Sequence, residues 1–533
     1  MNRIKRKIVS FLLVGAVSAS MFQGISVCAE EEDISMNKKL TVQVGSTKTL
    51  AVSGTKKAVK WSSSNKNVAK ITKNGKNKLN IKGKDDGKTV ISASVGEKSV
   101  TCNVTVEKKQ IRVLLKSSDS GSLTHSKVTV TSAKKFTISN GEKTKTYPAK
   151  KKVTITASST LLKGASALTV QAENNGRIKV LSISKSQGNP SYRGTIVLRK
   201  SGGNLAVVNK LPLEEYLYSV VSSEMSTSAS LEALKAQAVT ARSFAYSHLS
   251  NGKYKKYKAD LDDSTIFQVY NNIAETARTK KAVKETENIV LKDGDKIIST
   301  HYFSTSFGQT TTPSEVWGGS SSEKYYKSIL QKKGAKQKNL SSASAFESFI
   351  TSNPTTFDSK SDWYRWYITM SKTDMQKYVN GKLASWYASY PSYVKTKQKN
   401  GSYKSQKISS IGKLKNISVV ERKKSGMVSV LQITGSKKTV RIYGGERLRY
   451  ILSPGSNKIV KKGGGTVSGM SMLPSSFFYV KMGKSSYTIR GGGFGHGVGM
   501  SQSGANQMGR EGYDYKKILH HYFKNVSIKR IIS

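Results

Sequence analysis

Behind its apolar N-terminus this chain offers only strand-like alternation until about Leu211, where helical spacing begins. Short runs such as Leu40-Val44, Lys48-Val52, Val59-Trp61, Leu79-Ile81, Val90-Ser94 and Ser99-Val106 recur between Gly, Asn and Lys turns. Their close spacing predicts a small β-sandwich over residues 36–107. Strands continue through Ile111-Leu115, Val128-Val130, Val153-Ile155 and Ile196-Leu198. The chain is therefore read as multidomain: a small all-β, immunoglobulin-like sandwich, then a large α+β region over 108–533.

Within the second region Pro212 stands where a helix can begin, because its missing N–H costs nothing there. Leu213, Leu217, Val220 and Val221 mark one apolar face. An Ala-rich helix is predicted from about Ser230 to Tyr246. Residues 284–312 read as strand alternation, and 320–415 as a Lys/Ser-rich variable segment with two helices. A last helix is predicted near Tyr515-Phe523, capped by Asp514.

Composition narrows the setting. Apolar residues make up 36% of the chain, with Ser, Thr, Gly and Lys filling the difference. Arg3, Lys5, Arg6 and Lys7 precede an apolar run from Ile8 to Phe22, and Val27-Cys28-Ala29 offers a cleavage site. This layout predicts a signal peptide over 1–29, hence secretion to the cell wall; the competing reading is a membrane anchor facing the wall. Cleavage leaves Cys102 as a single thiol facing a core, with neither a disulfide framework nor a zinc-knuckle spacing. The net charge of +56, from 89 basic and 33 acidic residues, attracts polyanions. For an exported chain, anionic cell-wall polymers are the better partner. Export and the lack of a recognised module count against nucleic acid.

Four segments carry candidate chemistry. Glu224 lies three residues after Val221, so a continuing helix puts its carboxyl on the apolar face, where burial raises its pKa. Such a carboxyl can act as a proton donor near neutrality. The alternative is a Glu beyond the helix end, or one paired with Arg242. On an Ala-rich buried helix, Arg242 needs a carboxylate or polar ligand. It can position Glu224, bind substrate or form a structural ion pair. Residues 300–319 combine Ser304, Ser306, Gln309 and Glu315 with Trp317, a mixture that suits a carbohydrate groove or simply a polar turn. The Gly-rich run from Gly491 to Gly499 allows positive φ and close backbone approach to a ligand, beside His496 and Gln502. It lacks the Gly-Lys-Ser/Thr ending of a phosphate loop. No metal or other cofactor is expected, since His248, His301 and His496 lack ligand spacing.

Taken together and in order, these segments resemble the stage II sporulation protein D family. The matching residues are Pro212-Leu213-Glu214-Glu215-Tyr216-Leu217, Ser223-Glu224-Met225, Lys235 to Arg242, Phe303-Ser304-Thr305-Ser306, Glu315-Val316-Trp317-Gly318-Gly319 and Gly493 to Gln502. The resemblance covers roughly residues 110–533. It implies a lytic transglycosylase that cuts peptidoglycan glycan strands, or an amidase enhancer whose partner is an amidase. It carries the catalytic Glu to Glu224 and the important Arg to Arg242. Ser304, Ser306, Gln309, Glu315, His496 and Gln502 then become substrate-binding candidates. Two departures stand out. Ser226 replaces the family's Pro after Glu-Met. Around Asp263-Ser264-Thr265 and Gln268-Val269-Tyr270 the cysteines with which some members bind zinc are missing, and Phe267 stands where one would be. Zinc binding is therefore not carried over. Ala58 to Asn65, Val68 to Ile71 and Gly87 to Ala93 resemble bacterial immunoglobulin-like domains of group 2, which implies adhesion or spacing and a surface or vegetative role.

Overall fold

Apolar residues at every second position along Gly87–Val95 and Lys98–Glu107 give this hairpin one buried face. The hairpin joins Lys39–Gln43 and Lys60–Ser63 in a four-stranded sheet. A second four-stranded sheet runs in the order Ser35–Met36, Thr47–Ser53, Lys78–Gly83, Ala69–Lys73. Val42, Ile91, Cys102 and Val104 from the first sheet meet Leu50, Leu79 and Ile81 from the second in one core. Burial raises the Cys102 thiol pKa, as an apolar surrounding should.

The computed structural model describes residues 33–531, apart from 120, 250, 251, 272 and 320–323. The signal peptide expected at 1–29 lies outside the described residues. The sandwich ends at Glu107, and Lys108 opens a second unit.

That unit is built on a seven-stranded sheet. Its order is Thr144–Tyr147, Phe136–Ser139, Ala167–Ala172, Thr195–Ser201, Asn204–Pro212, Gln110–Leu115 and Leu261–Asp262. Only the last pair is parallel. Helices α1 (Leu213–Glu224), α2 (Leu231–His248) and α3 (Ala277–Glu285) share its core. Next come α4 (Pro313–Trp317), α5 (Ala343–Ser352), α6 (Lys372–Ser389) and α7 (Gly445–Ile451). The chain closes with α8 (Gln502–Arg510) and α9 (Tyr515–Tyr522), the latter capped by Asp514, whose side chain accepts the Lys517 N–H at 2.7 Å. Among the described residues no helix is long and apolar enough to cross a membrane.

The Lys/Ser-rich segment read over 320–415 contributes strands to two sheets. Trp366–Ser371 sits at the centre of a five-stranded sheet whose other strands come from residues 459–491. Val394–Lys397 and Tyr403–Ser405 complete another sheet with three strands between Leu414 and Tyr443. Met375, Val379 and Leu383 of α6 help fill their common core. The alternation read over 284–312 also shrinks to Ile289–Asp293, Lys296–Ile297 and Tyr302–Phe303. Beyond Phe303 polar side chains bond to nearby backbone and take the place of a strand ladder.

Two distant segments meet where Tyr302–Phe303 pairs in parallel with Met500–Ser501. Asp358, fully buried, ties both of them down. Its Oδ1 accepts the Ser306 N–H at 2.9 Å and the Ser501 hydroxyl, while the Gly504 N–H at the start of α8 adds a third donor. Burial nevertheless lifts the Asp358 pKa to about 7. Asp358→Ala leaves these donors unpaired and should cost about 2–4 kcal/mol in urea unfolding at pH 7. Asp358→Asn keeps an acceptor without a buried charge and should cost less than half as much. An Asn variant as unstable as the Ala variant would contradict this account.

Candidate active site

The strand Asn204–Pro212 runs straight into α1, with Pro212 as the cap. Leu213, Tyr216, Leu217, Val220 and Val221 are buried along one face. Their spacing brings Glu224, the last helical residue, round to the same side. Backbone carbonyls point out of this end of the helix, so the macrodipole disfavours a negative charge there.

Glu224 is half-buried, and its surroundings contain donors but no counter-charge. The Val269 N–H donates to Oε1 at 2.7 Å, and the Tyr302 hydroxyl donates to the same oxygen at 2.9 Å. The Gln502 amide gives further support to the charged form. Burial outweighs these three contacts and lifts the carboxyl from 4.5 to about 7. At 1.36 kcal/mol per pH unit, that favours the protonated form by about 3 kcal/mol. The Val269 and Tyr302 hydrogen bonds converge on the same oxygen, Oε1.

A relay of donors fixes this arrangement. The Tyr216 hydroxyl donates to Gln268 Oε1 at 3.2 Å, and Gln268 Nε2 donates to the Tyr302 hydroxyl at 3.1 Å and to the Ala241 carbonyl at 3.2 Å. With its oxygen receiving from Gln268, Tyr302 is set to donate onward to Glu224. Gln237 of α2 lies beside Gln502, which donates to its Oε1 at 3.4 Å. Gln237 is fully buried and its Nε2 has no partner among the described residues. Sequence reasoning assigned no role to Tyr302, Gln268 or Gln237. A Tyr in a strand and a Gln in a loop carry no local signal of such a relay, and the Val269 contact is made by backbone.

An aromatic cluster forms beside Tyr302 from its neighbour His301, Phe244 of α2, Trp317 of α4 and His496 of the glycine-rich segment. The His301 ring lies 4.8 Å from Trp317, 5.8 Å from Phe244 and 6.1 Å from His496, and His496 lies 5.3 Å from Trp317. The indole N–H of Trp317 donates to Glu446 of α7 at 2.9 Å, which holds the ring 41% exposed. Burial lowers His301 to about 3 and His496 to about 4, so both rings are neutral near pH 7. His496 Nδ1 accepts the Val498 N–H at 3.1 Å. His248, His301 and His496 thus gather around one site despite their sequence separation. Among the described residues, however, no three His, Cys, Asp or Glu side chains converge to hold a metal ion.

Several residues stand elsewhere than the sequence suggested. Arg242 does not reach Glu224. Its guanidinium is 0% exposed and forks onto Glu214 at the opposite end of α1, with Nε–Oε1 at 2.7 Å and the second contact at 2.6 Å. Its remaining donors meet the carbonyls of Val283 and Ile289. Ser306 and Gln309 do not line a groove. Ser306 Oγ donates to the Gln309 carbonyl, and the Gln309 amide is consumed by the backbone of Lys338 and Ser425. Their hydrogen-bonding capacity holds the loop itself. The glycine run likewise approaches its own chain: a Cβ on Gly499, at φ +77, would sit 2.1 Å from the His301 carbonyl oxygen. Ser304, His496 and Gln502 stay half-exposed. Glu315, also half-buried, accepts the Thr311 hydroxyl at 2.6 Å.

Glu224 thus ends its helix half-buried and without a counter-charge, bonded to Tyr302, whose neighbour His301 belongs to the aromatic cluster. Residues 201–292 match the family model described as Stage II sporulation protein, and residues 22–106 the Bacterial Ig-like domain (group 2). Residues 311–499 match a Domain of unknown function (DUF8618). The chain therefore carries a stage II sporulation protein D family domain behind a group 2 bacterial immunoglobulin-like domain. The amidase enhancer of Bacillus subtilis (strain 168) is 31% identical over 324 residues, 58% of this chain and 40% of that protein. This chain thus spans about two-fifths of that relative. Stage II sporulation protein D of the same organism is 28% identical over 360 residues, covering 64% of this chain and 82% of its own length. Among solved structures, domains 4 and 5 of the S-layer protein SbsC share 23% identity, at a TM-score of 0.13, over 14% of this chain and 51% of theirs.

The Arg242–Glu214 fork makes a prediction of its own. Arg242→Met strands the Glu214 carboxylate and frees the start of α1, so stability should fall by about 3–5 kcal/mol. Glu214→Met in the same background should recover part of that loss, as read from a double-mutant cycle of thermal unfolding. Independent, additive effects would show that the pair does not anchor the helix.

Proposed function

We propose that this protein acts at the bacterial cell wall as a peptidoglycan lytic transglycosylase, with Glu224 as the single acid–base group. The supporting observation is a carboxyl raised to about 7 with no charged group among the causes of the rise. Hydrolytic glycosidases generally need a second carboxyl, as nucleophile or as base for water. One suffices when the nucleophile belongs to the substrate. Protonated Glu224 gives its proton to the glycosidic oxygen as the C1–O bond breaks. The C6 hydroxyl of the same N-acetylmuramic acid ring then bonds to C1, and its proton returns to Glu224. No water is consumed, and the product ends in a 1,6-anhydro sugar. Trp317 offers a face for a sugar ring, and Ser304, His496 and Gln502 offer polar contacts. Arg242 acts only through α1, as a positioning residue.

The match to an amidase enhancer favours a second reading, in which the domain binds wall and stimulates an amidase without cutting glycan. Purified protein and defined glycan strands, with no amidase present, distinguish the two. Lytic activity should give 1,6-anhydro ends, and Glu224→Gln should lower turnover by about 10²–10⁴-fold while strand binding persists. No cleavage by the parent would favour the amidase-stimulating reading, and unchanged turnover in the variant would show that another group is the acid.

The raised pKa also has a sign that can be checked. Protonated Glu224 is the active acid, so cleavage should decline as pH rises through about 7. Stability follows the same direction, because a folded pKa above the unfolded value stabilises fully below about 4.5 and is lost as pH rises through about 7. Glu224→Gln should thus melt higher than the parent at pH 8, by about 1–3 kcal/mol, and no higher at pH 4. Equal melting at both pH values would mean that the carboxyl is not held in a desolvated site.

A further inference from the structure

One end of the five-stranded sheet between Val394 and Tyr443 carries a cleft of ≈ 820 Å³ that the proposed chemistry does not use. Two turns stand side by side there. The first joins Val394–Lys397 to Tyr403–Ser405 and is closed by the Gln398 N–H on the Ser402 carbonyl at 2.8 Å. The second joins Val428–Gly435 to Thr439–Tyr443, with the Gly435 N–H on the Lys438 carbonyl at 2.9 Å. Lys397, Lys399, Lys404, Lys437 and Lys438 line the cleft, and all five are exposed. None of them has an ion-pair partner among the described residues. Residues 391–441 contain eleven Lys and two Arg against one acid, Glu421, and that acid is already paired with Lys423 at 2.5 Å. Five unpaired ammonium groups around one cleft repel one another, a cost that a bound polyanion relieves.

We infer that this cleft binds an anionic wall polymer built of phosphodiester-linked polyols. The lysines supply point charges for phosphates. Asn400 and the other amide and hydroxyl groups between them can bond to polyol hydroxyls. The lining contains no aromatic ring, whereas single-stranded nucleic acid is ordinarily held on aromatic stacking platforms. The inference rests on the reading that the protein works at the wall, but its test reads binding rather than cleavage.

The full-length protein would be sedimented with purified Gram-positive walls, either intact or stripped of their anionic polymer. Two fivefold Lys→Gln variants have the same change in net charge: one at the cleft lysines, the other at Lys48, Lys56, Lys70, Lys73 and Lys76 of the immunoglobulin-like domain. The cleft variant should lose about tenfold in affinity for intact walls at 0.1 M salt, and the control variant less than about twofold. On stripped walls both should match the parent. Equal losses in the two variants would overturn the inference in favour of diffuse charge, as would an equal loss by the cleft variant on stripped walls. Amine-reactive footprinting of the parent with poly(glycerol phosphate) gives a check that needs no variant. Protection should concentrate on the five cleft lysines, and uniform protection would overturn the inference. A single-stranded DNA of equal charge that protected them at lower concentration would overturn the choice of polymer.

Discussion

A two-residue parallel pairing, Tyr302–Phe303 on Met500–Ser501, brings the candidate site together. So short a ladder cannot hold two segments by itself. Its reinforcement is specific: Asp358 collects donors from both sides, and Gly499 lets the two backbones approach more closely than any Cβ would allow. Through this pairing Tyr302 reaches Glu224 and His496 reaches His301. Gln502, the first residue of the helix that follows, also reaches the carboxyl.

The electrostatic design follows from what is absent around Glu224. Basic residues outnumber acidic ones by 89 to 33, yet the buried cation nearest in sequence logic, Arg242, is spent on Glu214. A guanidinium beside Glu224 would hold its carboxyl ionised. Dipolar donors orient the carboxyl without forcing it to ionise. The neutral histidines add polar edges to the site at no cost in charge.

Much of this was legible in the sequence where periodicity carries the information. The face formed by Leu213, Leu217 and Val221 predicted where Glu224 would point, and Pro212 marked the helix start. Height along the helix was not legible. Glu214 and Glu224 sit on one helix almost three turns apart, and spacing alone does not say which one a neighbouring Arg meets. Ser306 and Gln309 show the same limit, because a polar side chain looks alike whether it bonds a sugar or the next loop's backbone. Glycines that allow close approach do not reveal that the approaching group is the chain's own His301 carbonyl.

The central claim is that one carboxyl cleaves a glycosidic bond with the substrate's own hydroxyl as nucleophile. Isotope incorporation tests it most directly. Glycan strands would be digested in water enriched in oxygen-18 and the new termini examined by mass spectrometry. The account predicts termini lighter by one water than reducing ends and free of the label. Labelled reducing ends would show that water is the nucleophile and that a second catalytic group has been overlooked.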